Sequence, residues 1–208
     1  DTDTHNYRVT FYAVALAEAM CVPEKEISDL VVGAFLHDVG KIGIPDNILL
    51  KPGKLTADEF EVMKTHPLLG IEIVADNLWL EGAALTIRHH HEHFDGTGYP
   101  DGLRGDAIPL AARIFAVVDV FDALTSERPY KKPMAQAEAL TIIARDSGRH
   151  FDPEVVAIFK EIAPVLYATA GQAGNAGLRQ EMQAVLSRYF RTAAAPVGAA
   201  SHSREPVD

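Results

Sequence analysis

The sequence contains one cysteine, Cys21. An internal disulfide is excluded, and a lone thiol fits a reducing compartment, so the domain is expected in the cytoplasm. No apolar run approaches the roughly eighteen residues a membrane span needs. Positive charge is also scarce: 19 Lys and Arg stand against 29 Asp and Glu, a net charge of −10. That balance argues against a binder of nucleic-acid polymers, which needs a basic surface. A small anionic substrate remains compatible, provided positive charge is concentrated locally, and bound metal ions are the densest source of it. Strict alternation of apolar and polar residues is missing too, so strands are not expected.

What the chain does contain is helical punctuation. Val9, Tyr12, Ala13, Leu16, Ala17 and Met20 recur at threes and fours, one face of a helix. Pro23 opens a second helix, with Glu24 and Glu26 favouring its positive end; it runs through Ile27, Leu30, Val31 and Ala34 to His37, and Gly40 is its expected stop. A loop rich in Gly and Pro is expected from Ile42 to Gly53. Thr56 and Glu59 form a capping box that opens the next helix. Pro67 opens another, one more ends near His91, and a turn-rich stretch follows from Asp95 to Gly105. Pro109 starts an apolar helix reaching Leu124; Pro133 and Pro153 start two more, the second ending near Ala163.

These elements predict an all-α domain, a single helical bundle of about seven helices over residues 1–167. Residues 168–208 read as a C-terminal extension, with a helix over 178–189 and a disordered tail from Ala193. The first residue is Asp1, inside a helical pattern. The chain is therefore expected to be part of a longer protein, whose upstream part can hold a sensory or receiver domain or a membrane anchor.

The polar residues set into this apolar scaffold carry the chemistry. His37-Asp38 ends a helix whose other inward positions are apolar, and Asp119 and Asp122 interrupt the run from Ile114 to Leu124. Burying a carboxylate costs several kcal/mol unless a cation meets it, either Arg/Lys or a metal. His5, His66 and the triplet His89-His90-His91 also fall at helix edges. Each of these has a bland reading alone: a structural pair, a loop histidine, a local cap. Their conjunction points to a metal centre.

The string Leu36-His37-Asp38-Val39-Gly40-Lys41 resembles the HD core of the HD-GYP phosphodiesterases. His90-His91-Glu92-His93-Phe94-Asp95-Gly96-Thr97-Gly98-Tyr99-Pro100 matches that family's HHExxDGxGYP signature at each fixed position. The similarity extends through Ala116 to Ser126 and through Arg128-Pro129-Tyr130-Lys131, covering about His5 to Phe159.

This resemblance implies metal ligands at His5, His37, Asp38, His66, His90, His91 and Asp119. Members with three metals carry a further carboxylate, usually Glu, one helical turn before the first histidine; Asp1 stands there. The resemblance also implies that Lys41, Arg128 and Lys131 hold substrate phosphates and that Tyr99 shapes the wall of the site. It implies hydrolysis of cyclic di-GMP to pGpG or on to GMP, and a diguanylate cyclase of the GGDEF type as a partner.

Mixed imidazole and carboxylate ligands suit first-row ions such as Fe or Mn, two of them, with a third depending on Asp1. Asp38 is suited to bridge two ions, which can share a hydroxide and aim it in line at phosphorus, making Asp38 and Lys41 the expected catalytic residues. Two alternatives stay open: a phosphodiesterase for 3′,3′-cyclic GMP-AMP, and a degenerate domain that binds the dinucleotide or docks on a cyclase without turnover.

Overall fold

The computed structural model describes residues 2–127 and 132–190. Asp1, Arg128, Lys131 and the tail from Ala193 lie outside them. Nine α-helices are present among the described residues: α1 (Thr2–Ala19), α2 (Glu24–Leu36), α3 (Asp46–Leu49), α4 (Ala57–Met63), α5 (His66–Val74), α6 (Glu81–His89), α7 (Leu110–Thr125), α8 (Gln136–Arg145) and α9 (Pro153–Tyr189). The only β-type pairing among those residues is an isolated bridge between Ser147 and Phe151, so the chain is all-α as expected. Among the described residues, no helix is long and apolar enough to cross a membrane.

The core forms where α1 meets α2, α7 and α9. The repeat read in α1 is its buried face: Val9, Tyr12, Ala13, Leu16 and Ala17 are all within 1% of full burial. They pack against Ile114, Phe115, Val118 and Phe121 of α7 and Val155 and Phe159 of α9. Helix α7 is buried on most of its circumference, which is why its sequence is almost uninterrupted in apolar residues. A smaller apolar cluster of Val74, Leu80, Ala83 and Ile87 seats α5 and α6 against α2. The Thr56–Glu59 capping box is present, each side chain bonding the other's backbone N–H.

Four expectations are corrected. The stretch from Ile42 to Gly53 holds the short helix α3. Helix α8 begins at Gln136 rather than at Pro133. Helix α2 ends at His37 as expected, that residue taking the C-cap and donating from Nδ1 to the Ala34 carbonyl at 2.7 Å, but Gly40 lies beyond it in a 3-10 turn and is not its stop. Gly40 serves packing instead: a Cβ there would fall on the His66 carbonyl and on the backbone of Gly70, so only glycine lets this turn lie against α5.

Helix α9 does not end near Ala163. It runs through Pro164 and bends at Gly174, whose φ of 57° breaks the helical path. An interior proline costs about 3 kcal/mol. Ala163, Ala170, Leu178 and Met182 are buried along this helix, and Leu166 and Tyr167 pack on the core. At about 1.5–3 kcal/mol for each large apolar side chain buried, that packing outweighs the lost bond. The last turn is tied to α1 by Arg188 and Tyr189, which donate to Glu18 at 2.6 and 2.5 Å.

Candidate metal centre

The ends of α2 and α6, the start of α5 and the polar faces of α1 and α7 meet on one side of the core. His37 is the C-cap of α2, His90 the C-cap of α6, and His66 the first residue of α5. At each of these three the ring nitrogen Nδ1 bonds the backbone carbonyl three residues earlier: Ala34 at 2.7 Å, Met63 at 2.8 Å and Ile87 at 2.9 Å. A carbonyl can only accept, so Nδ1 carries a proton at all three. Burial lowers the pKa of His66 and His90, whose neutral rings turn the Nε2 lone pair into the site, whereas at His37 burial is overcome by the neighbouring Asp38, which raises it. The helix ends thus lend otherwise unpaired carbonyls to orient the imidazoles.

Two clusters result. Asp38, His66, His90 and His91 form one, and His5, His37 and Asp119 the other; within each, one donor atom per residue lies within 4.8 Å of the rest. Asp38 stands between them. Its Oδ1 is 3.4 Å from His66 Nε2 and 4.0 Å from His90 Nε2, while its Oδ2 is 3.3 Å from His37 Nε2. His5 Nε2 lies 3.5 Å from Asp119 Oδ1. Phe115 backs His37, with ring centroids 4.7 Å apart.

The donor set fits cations. His66 Nε2 and His90 Nε2 face each other at 3.3 Å with neither carrying a proton, an arrangement of two lone pairs that a positive ion between them satisfies. Burial lowers the pKa of His66, His90 and His91, the last to about 3, with neighbouring imidazoles adding to the effect at His90 and His91. All three are neutral donors at physiological pH. Burial works to raise the Asp38 carboxyl, but His37 and Lys41 overcome it and hold it well below the usual carboxylate range. Asp119 is raised by burial.

The clusters floor a cavity of about 410 Å³ whose lining includes the cations Arg8 and Lys41. Lys41 Nζ donates to Asp38 Oδ2 at 2.6 Å. Tyr99 is not among the lining residues; its ring stacks on His91 at 4.7 Å with an interplanar angle of 28°, bracing that imidazole from behind. Of the other residues named for the site, Asp1, Arg128 and Lys131 lie outside the described residues.

Three further residues of the quoted strings, none expected as a metal ligand, shape the site. Glu92, 2% exposed, accepts the backbone N–H of Asp101 at 2.8 Å and of Leu103 at 3.0 Å, pinning the Gly98–Tyr99–Pro100 loop. Gly98 lies so close to His91, Glu92 and His93 that a Cβ would strike their backbone. Asp122 receives His5 Nδ1 at 2.8 Å and the Arg8 guanidinium. The signal for Asp122 was its place in an apolar run; two of its partners, His5 and Arg8, lie more than a hundred residues away, at separations of 117 and 114.

A helical bundle presenting paired imidazole–carboxylate clusters on a shared aspartate is the architecture of a divalent-metal domain. The family model described as HD domain matches residues 2–155. The chain belongs to the HD domain family, in its HD-GYP branch, and proteins of this family bind divalent metals. It is 47% identical over 174 residues to the cyclic di-GMP phosphodiesterase response regulator RpfG of Xanthomonas campestris pv. campestris, covering 83% of this chain and 46% of that protein. It is 40% identical over 163 residues to 3′3′-cGAMP-specific phosphodiesterase 2 of Vibrio cholerae, covering 77% of this chain and 31% of that protein. A solved cyclic GMP-AMP specific phosphodiesterase of V. cholerae shares the fold, with a TM-score of 0.70 at 21% identity over 89% of this chain and 50% of that one. The chain spans about half the length, or less, of the curated relatives it matches.

Proposed function

We propose that this chain is the catalytic domain of a metal-dependent phosphodiesterase that hydrolyses a 3′–5′ phosphodiester of cyclic di-GMP to linear pGpG. The observation that carries this reading is the placement of Asp38, whose two oxygens address two separate clusters. In it, His66, His90 and His91 would hold one ion and His5, His37 and Asp119 a second, with Asp38 available to both. Iron and manganese suit this mixed nitrogen and oxygen donor set. When bound, such ions would lower the pKa of a coordinated water towards neutrality, supplying hydroxide, and would offset charge on phosphoryl oxygens.

The protein's own groups do the rest. Lys41 and Arg8 place positive charge on the cavity wall of an acidic chain, where a phosphate can be met away from the ligands. Arg128 and Lys131 complete the phosphate-holding set by the family resemblance. Asp38 keeps its charge because His37 and Lys41 stabilise the anion. Tyr99 and Phe115 restrain the rings of His91 and His37.

The relatives' greater length leaves room for a further domain in the whole protein, for which a sensory or receiver domain is the proposal. The 40% identity to a relative named for 3′3′-cGAMP favours that dinucleotide as the second reading. The test is turnover under anaerobic conditions with Fe(II) or Mn(II), offering each dinucleotide separately. Release of pGpG faster than opening of cyclic GMP-AMP supports the first reading, the reverse order supports the second, and no turnover of either contradicts both.

A further inference from the structure

Asp122 lies one helical turn beyond Asp119 on α7 and is 1% exposed. A carboxylate at that depth costs several kcal/mol unless donors meet it. Four do. Arg8 donates from Nε to Oδ1 at 2.5 Å and from Nη2 to Oδ2 at 3.1 Å, Ser126 Oγ donates to Oδ1 at 3.0 Å, and His5 Nδ1 donates to Oδ2 at 2.8 Å. Burial pushes the Asp122 carboxyl up, but the bonds from His5 and Arg8 prevail and hold it below its ordinary value.

The guanidinium alone neutralises this anion, and a buried ion pair does not require a histidine. The His5 bond therefore does something else. An ionised carboxylate can only accept, so Nδ1 keeps the proton and the Nε2 lone pair turns towards Asp119. At His37, His66 and His90 the partner of Nδ1 is instead a neutral carbonyl. A carboxylate draws on the Nδ1 proton harder than a carbonyl does, which leaves Nε2 the more basic donor.

His5 is also the one ring of its cluster on α1, and at 19% exposure it is held by less packing than His37 at 4%. A directional bond from a fixed, buried partner supplies the orientation that packing does not.

We infer that Asp122 is a positioning residue that sets the affinity of the His5–His37–Asp119 cluster for its ion, independently of the Asp38–His66–His90–His91 cluster, with Arg8 moderating the effect by sharing the same carboxylate. The inference rests on the two-ion reading above. It makes the two ions unequal: one depends on a carboxylate that never touches it, and the other does not.

The experiment compares the wild-type chain with Asp122→Asn, both loaded with Mn(II) and dialysed against a graded chelator, with metal per chain read by elemental analysis and the fold by circular dichroism. The amide keeps the shape but loses the charge. One ion should leave the variant at a free-metal level about ten- to a hundred-fold higher than in the wild type, the usual effect of losing such a partner, while the other is unmoved. Two ions held as tightly as in the wild type, or both loosened equally with the fold intact, overturn the inference.

If the variant does not fold, the wild type decides. In its zinc-loaded form the His5 Nδ1 proton should resonate downfield of those of His37, His66 and His90; a His5 signal no further downfield than theirs overturns the assignment. A wild-type chain holding fewer than two ions instead overturns the two-ion reading itself.

Discussion

His66 Nε2 and His90 Nε2 face each other at 3.3 Å, each ring bonded through Nδ1 to a backbone carbonyl and so left without a proton between them. Replacing His66 by Phe removes one of the two lone pairs while keeping an aromatic ring in a site that is 1% exposed. The expected result is loss of one ion per chain with the melting transition retained. Equilibrium dialysis with Mn(II) reads it, and unchanged stoichiometry would count against the cluster.

Asp38→Asn should abolish turnover and leave the helical content intact. An amide is a neutral and poor bridge, and both oxygens of Asp38 are engaged, one towards each cluster. The Lys41 pair is half-exposed and its loss does little to the fold. A residual rate of a tenth of wild type, about 1.4 kcal/mol of barrier, would show that bridging is not essential.

Gly98→Ala should weaken the site without touching a ligand. The new Cβ meets backbone of His91, Glu92 and His93, so the loop must move and the Tyr99 ring leaves His91. Activity should fall at least tenfold, with stability reduced by roughly 1–3 kcal/mol as in other overpacked sites. Full activity in this variant would mean that the loop's position does not matter to His91.

Much of this clustering was legible in the sequence because several of its side chains sit at helix ends that local signals mark: Gly40 and Pro45 after His37, Pro67 after His66, Gly96 and Gly98 after His91. The motif strings then joined segments that spacing alone could not. What stayed hidden depends on partners distant in sequence. Asp122 was visible only as an acid in an apolar run, and its meaning comes from His5 and Arg8 on α1. Helix α9 was cut short at Ala163 because Pro164 is a local stop signal, whereas its continuation is enforced by packing on the core. Gly40 looked like a helix terminator; its role is the close approach of α5.

The capping box on α4 gives a prediction independent of any metal. Thr56→Ala removes the acceptor for the Glu59 N–H and should cost about 1 kcal/mol. Chemical denaturation would show it as a lower midpoint with an unchanged slope. No shift in midpoint would mean that α4 contributes nothing to the cooperative transition.

His150 offers a pH test. Burial, with the charge of nearby His93 adding to it, lowers its pKa to about 4, against a model-peptide value of 6.5. A folded value below the unfolded one means that the unfolded chain binds the extra proton first. This contribution to stability is therefore complete above about pH 6.5 and declines as pH falls towards 4. Replacing His150 by Phe, which can keep the stack on Phe151 at 4.2 Å, should flatten the stability curve in that window. An unchanged acid limb would remove His150 from the account.

The central claim, that Asp38 joins two ion sites, is tested most directly by anomalous diffraction from crystals of the Mn(II)-loaded chain. Two peaks are predicted about 3.5–4 Å apart, one on each side of Asp38. The first should be ringed by His66, His90 and His91, and the second by His5, His37 and Asp119. A single peak, or a pair in which Asp38 touches only one ion, would contradict the account.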